Sequence, residues 1–286
     1  KLSFLEAFST NSDVQQIGKK YPRLILWLKK RLSRNNFFGL PLTIWSLFFL
    51  YILFLSSGLV IDFLKSGASV AVDIHLNNLL YYFRNASAVK FFLWVTMFGE
   101  VEVAIFFVLV LSAIFFLLKK RWYAYALWVA IMGTEIFVYF FKFILNRSRP
   151  LHAVYLETSN SLPSGHAAIA VVLYGFLGYI LYRHIKRRKN KLWVVIGTLC
   201  FIFLLSFSRL YLGVHFLSDV LFGQTIGLLW LIIGISLVEW KFFGHKVLLE
   251  KEKITRNLKW IISSLVVLGL TFYIFWGVFS IPQLPY

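Results

Sequence analysis

Seven runs of mainly apolar residues divide this chain, and each approaches the roughly twenty residues that an α-helix needs to cross a bilayer. In lipid such runs fold as helices, because a spanning segment has to satisfy its backbone hydrogen bonds internally. Of the 286 residues, 59% are hydrophobic and only 15% are charged, so a water-soluble fold could not bury this much apolar surface. The sequence therefore predicts an all-α, polytopic membrane bundle. Its predicted spans are residues 37–61, 92–118, 122–145, 167–182, 192–208, 220–240 and 260–280.

Two stretches outside the predicted spans are amphipathic. Residues 13–35 combine basic residues with Leu, Ile and Trp, which favours a helix that lies on an anionic leaflet. Residues 67–90 repeat apolar residues at helical spacing and favour an interfacial helix. The predicted organisation is a cytoplasmic basic segment at 1–36, a six-span core at 37–240, and a cytoplasmic loop with a seventh helix at 241–286.

Basic residues concentrate on one side of the predicted spans. Of the 30 Lys and Arg residues, 23 lie in residues 1–36, 119–121, 183–191 and 241–259. With seven spans these four segments share one side, which the positive-inside rule places in the cytoplasm together with the N-terminus. The net charge of +18 thus follows from topology and does not indicate nucleic-acid binding. One cysteine, Cys200, cannot form an internal disulfide.

Four of the remaining basic residues stand at span ends on the opposite side, where the positive-inside bias disfavours them. They are Lys142, Arg147, Arg149 and Arg209. Arg147 by itself is typical of an anchor that reaches the membrane surface. The other three belong to segments 142–150 and 208–219, and these two segments together with 161–168 also carry two histidines and a carboxylate. Such costly polar groups at one bilayer surface predict an oxyanion site.

The residue types in these segments suit phosphoryl transfer. Arg binds two phosphate oxygens with a planar fork, and Lys supplies a compact charge. Ser164, Gly165 and His166 open a predicted helix, whose N–H groups and dipole favour an anion. His215 and Asp219 are four residues apart, so the carboxylate can orient the imidazole as a nucleophile. His166 is then available as the general acid, and neither a metal nor a cofactor is expected.

The three segments resemble the motifs of the type 2 phosphatidic acid phosphatases, also called lipid phosphate phosphatases. The matching residues are Lys142 with Arg149-Pro150, then Pro163-Ser164-Gly165-His166, then Ser208-Arg209 with His215 and Asp219. The resemblance covers residues 37–240. It implies a nucleophilic His215 oriented by Asp219, with His166 as the acid. It further implies phosphate binding by Lys142, Arg149, Ser164, Gly165 and Arg209, without a metal.

A second, weaker similarity concerns the compartment. Residues 155–175 are similar to the phosphatase halves of bacterial proteins that are fused to a DedA-type membrane domain. This similarity implies a bacterial inner membrane, and the charge pattern then places the site on the periplasmic or extracytoplasmic face.

Several acidic residues accompany the motifs. Glu135 precedes Lys142 by seven residues, so it could pair with this lysine, and an interhelical hydrogen bond is an equal alternative. Glu100 and Glu102 begin the second span and are predicted to be solvated helix-start carboxylates, although they could also rim the site. Glu157 lies between the first two motifs and could contact a head group.

The sequence thus predicts a lipid phosphatase whose partners are its lipid substrate and the bilayer, with no nucleic acid and no obligate protein partner. Undecaprenyl pyrophosphate ranks first by analogy, followed by phosphatidylglycerol phosphate, phosphatidic acid and lipid A phosphates. A lipid-to-lipid phosphotransferase would use the same residues. A lipid-binding or lipid-translocating protein would not need the nucleophile, and vanadate haloperoxidases, which have a related pocket, are soluble.

Overall fold

The computed structural model describes residues 20–34, 36–65, 67–243 and 256–280, and this part of the chain contains helices and no strand. The helices are, in chain order, α1 (Pro22–Leu32), α2 (Leu40–Leu64), α3 (Ala68–Tyr82), α4 (Ala86–Thr96), α5 (Val101–Leu117), α6 (Arg121–Leu145), α7 (Gly165–His184), α8 (Arg188–Tyr211), α9 (Leu217–Phe242) and α10 (Arg256–Ser280). The predicted all-α fold class is confirmed.

Among the described residues, six helices are long and apolar enough to cross a membrane, and the bent pair α4–α5 makes a seventh span if it is counted as one. The chain is therefore an integral membrane protein. The fourth and fifth spans, predicted at 167–182 and 192–208, extend to Gly165–His184 and Arg188–Tyr211. The observed helices are longer than the predicted spans because an apolar run ends at the first polar side chain, whereas the helical backbone continues past it.

The second span differs from a continuous helix over 92–118. A 3₁₀ turn at Met97–Gly99 follows α4, Glu100 is extended with φ −64° and ψ 141°, and α5 departs at 50° to α4. Gly99 permits this break, because a Cβ there would lie 2.8 Å from Cδ2 of His166 on α7. The backbone of the turn thus packs directly against an imidazole of the predicted site.

The two predicted amphipathic stretches differ in how much is described. Residues 67–90 contain α3 as a separate helix between two spans, and its Leu76 and Leu80 pack against a buried cluster beside α7 and α9. Of residues 13–35, the described part contains α1 with three basic residues in its last turn. Residues 13–19 and 35 lie outside the described residues.

Helices α6, α7 and α9 enclose the core, where Leu127, Val172 and Phe176 are buried. In lipid, close van der Waals packing rather than the hydrophobic effect holds helices together. Gly223 and Gly227 of α9 allow this approach, since a Cβ at either would lie within 2.5 Å of a backbone oxygen at the start of α7. The N-terminal turn of α7 is thereby held against α9.

The seventh helix, α10, lies beyond the predicted six-span core and packs on α5. Phe272 stacks on Phe106 at a centroid distance of 4.2 Å. The domain boundaries at residues 37 and 240 stay predictions.

Candidate active site

The three motif segments meet at one end of the bundle, around a cavity of about 430 Å³. Its lining includes Glu100, Glu135, Lys142, Tyr155, Glu157, Gly165, His166 and His215. A second groove of about 540 Å³ lies between α2 and α9, but its lining is almost entirely apolar and is unsuited to an anion. The polar cavity is therefore the candidate active site.

His215 lies in the short connection between α8 and α9 and is only 2% exposed. Its Nδ1 is 3.4 Å from Oδ2 of Asp219, and its Nε2 is 3.3 Å from Nη1 of Arg149. The proximity agrees with the sequence analysis, but its cause does not. His215 precedes α9, so the two residues do not share a helical face, and the turn into the helix brings them together.

The environment of His215 disfavours its protonated form. Burial lowers the pKa of His215 well below its ordinary value, and the charges of Arg209 and Arg149 lower it further. An unprotonated imidazole has a nitrogen lone pair. Because Nδ1 faces Asp219, the geometry leaves Nε2 on the side of the arginines, where an oxyanion would bind.

Asp219 is fully buried and accepts hydrogen bonds from three directions. Nη1 of Arg147 lies 2.6 Å from Oδ1, the Phe216 N–H lies 2.8 Å from Oδ2, and the Ser161 hydroxyl also donates to Oδ2. These donors stabilise the ionised carboxylate and fix its direction toward His215.

Arg147 is not the membrane anchor that the sequence suggested. Its guanidinium is buried, bridges Asp219 and Asp73 of α3, and lies 4.2 Å over the Phe216 ring. Buried charges require such pairing. The sequence contained one hint, an acidic residue within the apolar stretch of α3, but nothing local links residue 73 to residue 147.

Of the predicted phosphate-binding cations, Lys142 lines the cavity, and Arg149 and Arg209 contact residues that line it. Arg209 is fully buried and donates to Oγ1 of Thr96 at 2.7 Å and to the Tyr155 hydroxyl at 2.5 Å. Arg149 donates to the Val214 carbonyl at 2.8 Å. Lys142 donates to the Ser159 hydroxyl at 2.8 Å. Each cation thus has at least one neutral oxygen atom among its hydrogen-bond acceptors.

Glu157 bridges two of these cations. Its Oε2 lies 2.5 Å from Nη2 of Arg149, and its Oε1 pairs with Nη2 of Arg209. Burial would raise the pKa of Glu157, but the surrounding charges, led by Arg209, hold it below its usual range. The two guanidinium groups can therefore bind two oxygens of one anion, as they bind the two carboxylate oxygens of Glu157. The sequence suggested only a head-group contact for this residue.

The second motif begins α7. Ser164 precedes the helix and is fully buried, and its Oγ has no hydrogen-bond partner among the described residues. Gly165 and His166 line the cavity. Nε2 of His166 lies 3.3 Å from Oε1 of Glu100, whose side chain is 29% exposed. Glu100 thus lines the site, as one of the two expectations had it, whereas Glu102 is exposed.

Glu135 lines the deep end of the cavity on α6. Within the described ranges its Oε1 has no hydrogen-bond partner, and it forms no ion pair with Lys142. Neither role considered from the sequence is therefore observed. No group of three or more His, Cys, Asp or Glu in the described part of the chain could hold a metal ion.

Part of the chain is similar to known proteins. Residues 121–243 match the model of the PAP2 superfamily. The chain is similar to phosphatidylglycerophosphatase B of Bacillus subtilis, at 33% identity over 127 residues. This alignment spans 43% of the chain and 61% of the relative.

Two solved structures are also similar. A transmembrane PAP2-type phosphatidylglycerolphosphate phosphatase from Bacillus subtilis aligns with 75% of this chain and 97% of its own, at 24% identity and a TM-score of 0.56. Aquifex aeolicus LpxE aligns with 59% of this chain and 95% of its own, at 27% identity and a TM-score of 0.45. Residues 121–243 are thus similar to the PAP2 superfamily, and the Bacillus structure shares the fold of this chain.

Proposed function

We propose that this protein is an integral-membrane phosphatase that removes phosphate from a lipid through a phosphohistidine at His215. The observation that carries the proposal is the position of His215, with Nδ1 toward Asp219 and Nε2 toward Arg149. An imidazole held in this way presents a nucleophilic nitrogen to the place where cations would bind a phosphoryl group.

The reaction proceeds in two displacements. Arg149, Arg209 and Lys142 neutralise the phosphoryl oxygens. Nε2 of His215 forms a bond to phosphorus while the bond from phosphorus to the lipid oxygen breaks, and His166 protonates that oxygen. His166 then takes a proton from water, which attacks phosphorus and releases phosphate from His215. The carboxylate of Glu157 already lies between Arg149 and Arg209, which supports the proposal that a phosphoryl group binds to the same two arginines.

The cavity extends along a membrane-spanning helix, and this supports a lipid as the substrate. The lining runs on α6 from Lys142 to Glu135, about two turns deeper. Glu135 and Tyr139 also line an apolar groove on the surface of α6. A phosphate at Lys142 could therefore remain attached to a tail in the bilayer. The charge distribution supports an extracytoplasmic site.

Two substrates lead the candidates. The sequence ranked undecaprenyl pyrophosphate first, and similarity to a Bacillus phosphatidylglycerophosphatase favours phosphatidylglycerol phosphate. Phosphatidic acid and lipid A phosphates complete the set.

The test measures phosphate release by the purified full chain in detergent containing EDTA, with the four lipids as substrates. His215→Ala is compared with His75→Ala, which alters an exposed histidine on α3. We expect release by the wild type and by His75→Ala, and none by His215→Ala. Release that survives in His215→Ala would contradict the phosphohistidine. Label that moves to an added acceptor lipid rather than to water would instead identify a phosphotransferase.

A further inference from the structure

The cavity contains a second histidine–carboxylate pair that the three motifs do not include. Oε1 of Glu100 lies 3.3 Å from Nε2 of His166, and both residues line the cavity. Glu100 comes from the connection between α4 and α5, which precedes the first motif in the chain.

The break in the second span creates this pair. The 3₁₀ turn at Met97–Gly99 ends α4, and Glu100 is extended. A Cβ on Gly99 would lie 2.8 Å from Cδ2 and 3.1 Å from Cβ of His166. The turn therefore packs against the imidazole through its backbone. The next residue, Glu100, places Oε1 3.3 Å from Nε2 of the ring. Because Nε2 has no hydrogen-bond partner among the described residues, this contact is an electrostatic one.

Two tyrosines hold the break in this shape. The Tyr174 hydroxyl, on α7, donates to the Phe98 carbonyl at 2.7 Å, and the Tyr273 hydroxyl, on α10, donates to the Trp94 carbonyl at 2.8 Å. The Tyr273 ring also stacks on Phe98 at 4.1 Å. Backbone carbonyls at membrane depth need such partners when a helix is interrupted. The seventh helix thus supports the connection that carries Glu100.

We infer that Glu100 is the positioning residue of the acid His166, an inference that rests on the proposed function. A histidine that donates a proton has to hold one, and a nearby carboxylate favours the protonated form. The other charges around His166 are Arg209, which opposes protonation, and Glu157, which is already paired with two arginines. Glu100 is the carboxylate that contacts the ring nitrogen.

The proton balance of the step is simple. When the bond from phosphorus to the lipid oxygen breaks, one proton of the His166 imidazolium moves to that oxygen, the ring becomes neutral, and Glu100 stays ionised. His166 later regains a proton from the attacking water. Acid catalysis matters most when the departing oxygen is strongly basic, so the effect of Glu100 has to depend on the leaving group.

The experiment compares two phosphate monoesters, phosphatidic acid and p-nitrophenyl phosphate. The first releases a strongly basic alkoxide, and the second releases a weakly basic phenolate. We expect Glu100→Gln to lower kcat on phosphatidic acid by roughly 10- to 100-fold, and on p-nitrophenyl phosphate by less than about threefold. Retained turnover of the second ester also shows that the variant is folded. Glu102→Gln, two residues along and exposed, is the matched control and leaves both rates unchanged.

Three results would overturn the inference. Equal losses on both esters would make Glu100 a structural or phosphate-binding residue, and unchanged rates on both would show that it has no role. In either case an active wild type would leave the proposed function intact. If the wild type releases phosphate from neither ester nor from the other lipids, the proposed function fails and this inference fails with it.

Discussion

Arg147 contacts two buried carboxylates, Asp73 at 2.8 Å and Asp219 at 2.6 Å. Both carboxylates are at most 2% exposed, so Arg147→Met would leave both in a poorly solvated place without this cation. Removing one partner of a buried ion pair costs about 3–5 kcal/mol. Both carboxylates keep other hydrogen-bond donors. We therefore expect a loss of about 3 kcal/mol in the free energy of unfolding, with a fall in kcat because Asp219 is no longer fixed.

A double-mutant cycle tests this reasoning. Asp73→Asn removes one of the two negative charges, so its cost should be smaller in Arg147→Met than in the wild type. We expect a coupling of at least about 1 kcal/mol, measured by denaturant unfolding of the four proteins in one detergent. Arg84→Met is the control, because its guanidinium binds the carbonyls of Tyr211 and His152, and it should not couple to Asp73→Asn. Additive costs in the Arg147 cycle would refute the shared ion pair.

Three further predictions concern the cavity and its support. Burial lowers the pKa of His215 well below its ordinary value, so the nucleophile stays unprotonated as the pH falls through the range in which a free histidine titrates. On the acid side, kcat/KM should therefore decline only below that range, and a wild-type profile whose acid-side decline already begins at about pH 6.5 would contradict this. Glu157→Gln removes a carboxylate that competes with a bound anion for Arg149. Orthovanadate should therefore bind about tenfold more tightly, a change of about 1.4 kcal/mol in binding free energy, measured by titration calorimetry. Weaker binding would show that Glu157 does not compete with the anion. Tyr273→Phe removes one hydrogen bond to the Trp94 carbonyl and should lower the free energy of unfolding by about 1 kcal/mol. Its loss of kcat should be larger on phosphatidic acid than on p-nitrophenyl phosphate. Equal losses on the two esters would show that the seventh helix does not act through His166.

The spans were predictable because lipid imposes a local condition on the chain. A run of about twenty apolar residues becomes a helix wherever its neighbours lie, and the third span predicted at 122–145 is observed at Arg121–Leu145. The motif residues were recognisable because a charged group is costly at a span end without a function. Their catalytic roles stay predictions, although Arg149, His166 and His215 do lie around one cavity.

The partners of the buried charges were not predictable in this way. The sequence suggested an anchor for Arg147, and for Glu100 it favoured a solvated helix-start carboxylate over a residue at the rim of the site. Their partners lie far away in sequence, with Asp73 and Asp219 more than 70 residues from Arg147 and His166 far beyond Glu100. Hydropathy depends on each segment alone, and so the sequence by itself determined the spans and the residues of the three motifs. Which carboxylate stabilises which cation or histidine depends on the helix ends that meet after packing, and only the tertiary structure decided it.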